Sequence, residues 1–230
     1  MIKGLIFDVH RTLVDDSGFP RDRIWRLLVQ EGIEIDMNIY HQQYREITAK
    51  LFDWPNIDPF ISIREIHRKR LELYYQFYGV KRDIEADLNY LWREMGKSQI
   101  YPEVFPVLNQ LKATYKIGLL SNADDDDPLI RILLDAGFTF DAIVTSQSCQ
   151  IYKPLPEIFD SALHRLNYDR QEVLMIGDSL ISDITGAKNA GIKNVWLNRN
   201  GQSINDGMPQ PDFQISNLEE LLPILGRRVS

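Results

Sequence analysis

Apolar and polar positions follow two different rhythms along this chain, and the change of rhythm divides it. Ile2 to Phe7 is a short apolar run without helical spacing, which predicts a buried strand ending at Asp8. From Pro20 to about Met95 the spacing is that of helices alone. Ile24, Leu27 and Leu28 mark the first helix, and Met37, Tyr40, Tyr44, Ile47 and Leu51 give a long stripe for the second. Ser62 and Glu65 have the spacing of a capping box and open a third helix that ends near Gly79. Ile84, Leu88, Leu91, Trp92 and Met95 form a fourth, stopped by Gly96.

After Tyr101 and Pro102 the two rhythms alternate. A helix runs to about Thr114, a strand follows in KIGLLS, a helix starts at Pro128 and a strand occupies DAIVTS. A helix then begins near Pro156, followed by a strand in EVLMIG, a helix to Ala190, a strand in NVWLN, and PDFQIS with a last helix. This order predicts an α/β fold, a doubly wound parallel sheet with helices on both faces. The helical block is then an insertion after the first strand, giving a core of residues 1–14 and 98–230 and an inserted unit of 15–97. Hinges are expected near Val14 to Phe19 and Gly96 to Tyr101.

Composition narrows the functional classes. At 230 residues, 44% hydrophobic and 26% charged, the chain can bury a sizeable interior. A net charge of -7 and a pI near 5.2 argue against nucleic acid as a partner, since holding a phosphate backbone requires clustered Lys and Arg. The single cysteine, Cys149, excludes an internal disulfide and a thiolate metal cluster. No apolar run approaches the ~20 residues that span a bilayer, and the N-terminus lacks signal-peptide character. A soluble, cytoplasmic protein with no membrane partner is the expectation.

In an open parallel sheet, ligands bind beyond the carboxyl ends of the strands. The polar residues that end each strand are therefore the candidates: Asp8 after the first, Ser121 and Asn122 after KIGLL, and Asp178 after VLMIG, with Asp183 further on. Lys153 lies in the loop YKPLPEIF. Singly, a carboxylate at a strand end is an ordinary helix cap or turn residue. Three acids, a hydroxyl and a lysine at one sheet edge are harder to explain that way.

The segments FDVHRTLVD, LLSNA, YKPLPEIF and IGDSLISD, in this order, resemble the four motifs of the haloacid dehalogenase superfamily, whose members are mostly phosphatases. PDFQISNLEELLPIL is similar to that superfamily's last strand and helix, and the inserted helices resemble the cap of its phosphoglycolate phosphatase and dehalogenase branch. The resemblance implies a Rossmann-like core with a helical cap, and magnesium-dependent hydrolysis of a small phosphorylated substrate. Asp8 would be the nucleophile that forms an aspartyl phosphate. Thr12, Ser121, Asn122 and Lys153 would hold the phosphoryl group. Asp8, Asp178 and Asp183, with the backbone carbonyl of residue 10, would hold Mg2+. The residue types suit the chemistry: a carboxylate divides one difficult displacement into two, and fixed donors and cations meet the charge on the phosphoryl oxygens. Magnesium takes oxygen ligands and keeps several waters, so few carboxylates suffice.

Two positions depart from the superfamily's pattern. The residue two after the nucleophile, usually an acid/base aspartate, is His10, and the next, usually glycine, is Arg11. Three readings stand. An imidazole with an ordinary pKa of about 6.5 is able to act as acid or base itself. Alternatively the chain is a 2-haloacid dehalogenase, which needs no leaving-group acid, although those enzymes use no metal and lack the GDxxxxD pattern found in IGDSLISD. The third reading is a nearly inactive binder of a phosphorylated ligand.

Further features have plainer explanations. Arg11 either meets the substrate's anion or pairs with Asp15 and Asp16. Asp127 is expected to cap the helix at Pro128, with Asp124 to Asp126 as solvated charges or, less simply, a second metal site. Phe52, Trp54 and Phe60 are candidates for a lid or for ties between helices. Lys50 and Lys69, in the insertion, would be the Schiff-base candidates of a phosphonate-cleaving enzyme, and nothing singles either out. His41, His67 and His164 lack metal-ligand spacing and are expected to be structural or surface residues.

Overall fold

The computed structural model describes residues 1–51, 54–204 and 207–226. Phe52 and the side chain of Lys50 therefore lie outside the described residues. Strands β1 (Gly4–Phe7), β4 (Lys116–Ser121), β5 (Ala142–Thr145), β6 (Val173–Gly177), β7 (Lys193–Leu197) and β8 (Phe213–Ile215) form a parallel sheet in the order β5-β4-β1-β6-β7-β8. β1 lies between β4 and β6, with Ile6 opposite Gly118 on one side and Met175 on the other.

Because successive strand residues point to opposite faces, each strand feeds two cores. Leu5, Phe7, Leu119, Leu174, Ile176 and Val195 face one side, where α5 (Val104–Lys112) and α6 (Pro128–Asp135) cover them. Ile6, Leu120, Val144, Val173 and Met175 face the other, under α8 (Pro156–Leu166) and the short α9 (Gly186–Asn189). The core also carries the short helices α7 (Ser146–Cys149) and α10 (Leu221–Gly226). No described helix is long and apolar enough to cross a membrane.

Four inserted helices, α1 (Arg21–Gln30), α2 (Met37–Leu51), α3 (Ile63–Tyr78) and α4 (Ile84–Met95), bury a core of their own around Ile24, Leu28, Tyr40, Leu71, Tyr74, Leu88 and Leu91. The expected cap at Ser62 is present: its side chain accepts from Glu65 N–H, and Gly79 ends the helix in the left-handed conformation. The hinges hold something the hydrophobic pattern does not show. β2 (Val14–Asp15) and β3 (Gln99–Ile100) pair antiparallel, so the two crossings of the chain form one ribbon.

The acidic run binds the two units together. Asp124, expected to be solvated, is 3% exposed and accepts from the N–H groups of Ile63 (2.7 Å) and Arg64 (2.9 Å) at the start of α3. The Tyr152 hydroxyl donates to the Ile61 carbonyl at 2.6 Å. Trp54 and Phe60 pack on Tyr152, at ring separations of 4.4 and 5.0 Å, and so tie the insertion to the core.

Asp124→Ala should lower the free energy of unfolding by about 1–2 kcal/mol, because two helix N–H groups lose their acceptor. Asp126→Ala, at an exposed neighbouring position, should stay within about 0.5 kcal/mol. Urea unfolding of both variants checks the contrast.

Candidate active site

Asp8 sits where the chain leaves the central strand, between neighbours whose connections run in opposite directions, and its N–H is held by the Ile176 carbonyl at 2.9 Å. A tight turn follows, in which Leu13 and Val14 N–H both reach the Val9 carbonyl and Arg11 N–H reaches the Val14 carbonyl. The turn places Arg11 at φ +57°, a conformation that favours glycine. Arg199, at the end of β7, braces it from outside by donating to the carbonyls of Thr12 (3.0 Å) and Arg11 (3.3 Å). Glu103, 2.6 Å away, and the ring of Tyr101 beneath its guanidinium hold Arg199 in turn.

Lys153 is the centre of the polar network. Its ammonium donates to Asp8 Oδ1 (2.6 Å), Asp183 Oδ1 (2.8 Å) and the Leu120 carbonyl (2.9 Å), and the residue is 1% exposed. Burial disfavours its charge, but the fields of Asp183 and Asp8 outweigh that and raise its pKa. Asn122 exchanges two hydrogen bonds with the backbone of Lys153 and fixes its loop. Gly177 is required by Asp183: a Cβ there would overlap the Asp183 carboxylate, which lies against the strand end and accepts from Ser179 N–H.

Carboxylate oxygens of Asp8, Asp178 and Asp183 all lie within 4.8 Å of one another, an all-oxygen donor set suited to a hard cation such as Mg2+. Burial, with the neighbouring carboxylates adding to it, raises the pKa of Asp178 and Asp183. A cation among them would remove that repulsion. The Ser121 hydroxyl is fully buried and has no hydrogen-bond partner among the described residues, leaving it free for a ligand in the cleft it lines.

Several expected residues stand differently. Thr12 is not on the cleft wall: it is fully buried and its hydroxyl donates to Asp8 Oδ2 at 3.1 Å, so it orients the carboxylate. Arg11 turns neither to Asp15 nor to Asp16; its Nε lies 3.2 Å from Asp178 Oδ2. His10 is held at both ring nitrogens, by Asp16 Oδ2 (2.8 Å) and Asp127 Oδ2 (3.3 Å). Burial works against its charge, yet Asp127 and Asp16 raise its pKa well above the ordinary value. Asp127 also caps α6, as expected, accepting from Leu129 and Ile130 N–H. Among the described residues, the Asp124–Asp127 run forms no metal-holding group.

The cleft encloses about 410 Å³ between the two units. Asp8, His10, Arg11, Ser121, Asn122, Lys153, Asp178 and Asp183 line its floor, and Phe19, Arg21, Tyr44 and Arg45 its other wall. Trp54 and Phe60 are not on it. Sequence reasoning missed Asp16, Asp127, Arg199 and the arginines of the inserted helices, because nothing in their local spacing points to the site.

The sequence matches the haloacid dehalogenase-like hydrolase family over residues 2–191. The chain belongs to that family. It is similar to glyceraldehyde 3-phosphate phosphatase of Pyrococcus abyssi (29% identity, covering 86% of this chain and 82% of the relative). It is also similar to N-acylneuraminate-9-phosphatase of Homo sapiens (26%, covering 97% and 94%). Among solved structures, 2-haloacid dehalogenase of Pseudomonas syringae superposes with a TM-score of 0.71 at 26% identity, covering 99% of each chain. The family's core and helical insertion are thus both present.

Lys153→Met would leave Asp8 and Asp183 buried without their cation. It should cost about 3–5 kcal/mol at neutral pH. Protonation relieves unpaired carboxylates, so the deficit should shrink as the pH falls towards 5. Unfolding curves at both pH values test this.

Proposed function

We propose that this chain is a magnesium-dependent phosphatase of a small phosphomonoester, working through an aspartyl phosphate on Asp8. The observation that carries the reading is the meeting of three carboxylates with an unpartnered, buried serine hydroxyl on one cleft. A dehalogenase has no use for that acidic cluster, whereas phosphoryl transfer needs a cation beside the nucleophile. Asp8, Asp178 and Asp183, with the carbonyl of His10, would hold Mg2+, which when bound supplies positive charge to the phosphoryl oxygens. Two relatives named as phosphatases of small phosphorylated compounds support the same class.

In this mechanism Lys153 and Thr12 fix the Asp8 carboxylate for attack on phosphorus. The Ser121 hydroxyl meets the phosphoryl oxygens, the Lys153 ammonium supplies positive charge from beneath while holding Asp8, and Asn122 holds the Lys153 loop in place. His10 gives its proton to the departing oxygen and then accepts one from the water that attacks the aspartyl phosphate. Each ring nitrogen faces its own carboxylate, so the proton has to leave one of these contacts, and acid/base catalysis is best when the pKa lies near the working pH, so turnover is slow. Arg21, Tyr44 and Arg45 face the leaving group and favour a polar or anionic one.

Asp8→Asn should abolish phosphate release from p-nitrophenyl phosphate while leaving the unfolding midpoint in place, and chelator should suppress the wild type until magnesium is restored. Unchanged turnover in the variant would exclude the covalent step. Halide release from a 2-haloacid in chelator would replace the phosphatase reading.

The acid role of His10 gives a second test. A raised pKa keeps the acid form available through neutrality and loses it as the pH rises, so the wild-type kcat profile should fall on its alkaline side. His10→Ala should lower kcat by about 10²–10⁴ and lose that limb. A harmless alanine beside an activating His10→Asp would show that the imidazole takes no part.

A further inference from the structure

We propose that Arg11 is an internal counter-cation, which competes with a divalent metal for Asp178 and passes to the substrate's anionic group when the metal binds. The inference rests on the metal site of the phosphatase reading and adds to it a coupling between the two ligands.

Charge balance is the starting point. Asp8 and Asp183 share the ammonium of Lys153, which reaches both within 2.8 Å. Asp178 feels the field of Lys153 but accepts none of its three N–H groups. Its cationic partner is Arg11, at 3.2 Å. Within the chain, three clustered carboxylates are thus met by two side-chain cations. A dication among the same oxygens changes the sum. Lys153, buried with all three protons donated, has nowhere to go. Arg11 has: its side chain is 56% exposed, and it lines the open cleft. Held a few ångströms from a bound cation it would be repelled by it, and the same repulsion makes Arg11 weaken metal binding.

The backbone favours such a switch. The Arg11 carbonyl is held by Arg199 and its N–H by the Val14 carbonyl, so the side chain pivots from a fixed root. Arg11 and Ser121 line the same cleft, in which the phosphoryl group of a substrate would lie. An anion there offers Arg11 the partner that the metal displaces. Metal and anion then help each other bind, and by linkage the effect is reciprocal.

Calorimetric titration of Mg2+ into the wild type, Arg11→Gly and Asp178→Ala, with and without inorganic phosphate, tests this. Glycine suits the φ of +57°, so the turn is retained. Without phosphate at low ionic strength, Arg11→Gly should bind Mg2+ about tenfold more tightly than the wild type, and the gain should shrink in high salt. Phosphate should tighten Mg2+ binding by a larger factor in the wild type than in Arg11→Gly. Equal or weaker Mg2+ binding by Arg11→Gly overturns the proposal, as does an equal phosphate effect in the two proteins. Asp178→Ala separates the two layers of the argument. If it loses Mg2+ while the wild type and Arg11→Gly bind alike, the role of Arg11 alone is rejected. If Asp178→Ala binds as the wild type does, the metal site itself is misplaced and both readings fall.

Discussion

The buried ammonium of Lys153 is the constraint on which the rest of the site depends. A cation removed from water at 1% exposure is tolerable only with all its hydrogen bonds made, and Lys153 makes them to Asp8 after β1, to Asp183 after β6 and to the Leu120 carbonyl in β4. One side chain therefore sets the spacing of three strand ends. The need propagates outward: Asn122 holds the Lys153 loop, and Gly177 leaves out the Cβ that would push Asp183 away. The fixed Asp8 carboxylate is a consequence of satisfying one buried charge.

The second organising element is the acidic segment 124–127, which joins the insertion, the core and the turn after Asp8. Asp124 caps a helix of the insertion, while Asp127 caps α6 with one oxygen and meets His10 with the other. Each carboxylate compensates helix N–H groups that would otherwise be unsatisfied. The insertion that carries the Arg21, Tyr44 and Arg45 wall is thereby tied by Asp124 to the same short segment whose Asp127 holds the imidazole.

His10 and Arg11 together change the electrostatics of the first turn. In the superfamily that this chain resembles, the pair is usually a carboxylate and a glycine; here an imidazole and a guanidinium stand there, and Asp16, Asp127 and Asp178 surround them. The substitution is compensated within the fold, since both side chains have carboxylate partners. The backbone accommodates the arginine at positive φ because Arg199 braces the turn from outside.

Much was legible in the sequence. Hydrophobic alternation located the strands of the sheet and the four inserted helices, since burial on one or both faces imposes a period that survives in the order of residues. The strand-end rule, joined to the motif resemblance, pointed to Asp8, Ser121, Lys153, Asp178 and Asp183 because a parallel sheet brings such ends to one edge. The tertiary structure decided what no local pattern encodes. It turned Thr12 behind Asp8, took Asp124 out of solvent, placed Trp54 and Phe60 on Tyr152, and gave His10, Arg11 and the first turn their partners in Asp127, Asp178 and Arg199. A charged side chain's partner is set by which surfaces meet once the core has formed, and the energies of these contacts depend on distances between residues more than a hundred positions apart in the case of Asp127, Asp178 and Arg199. Periodicity in sequence reports burial; it carries no information about those distances.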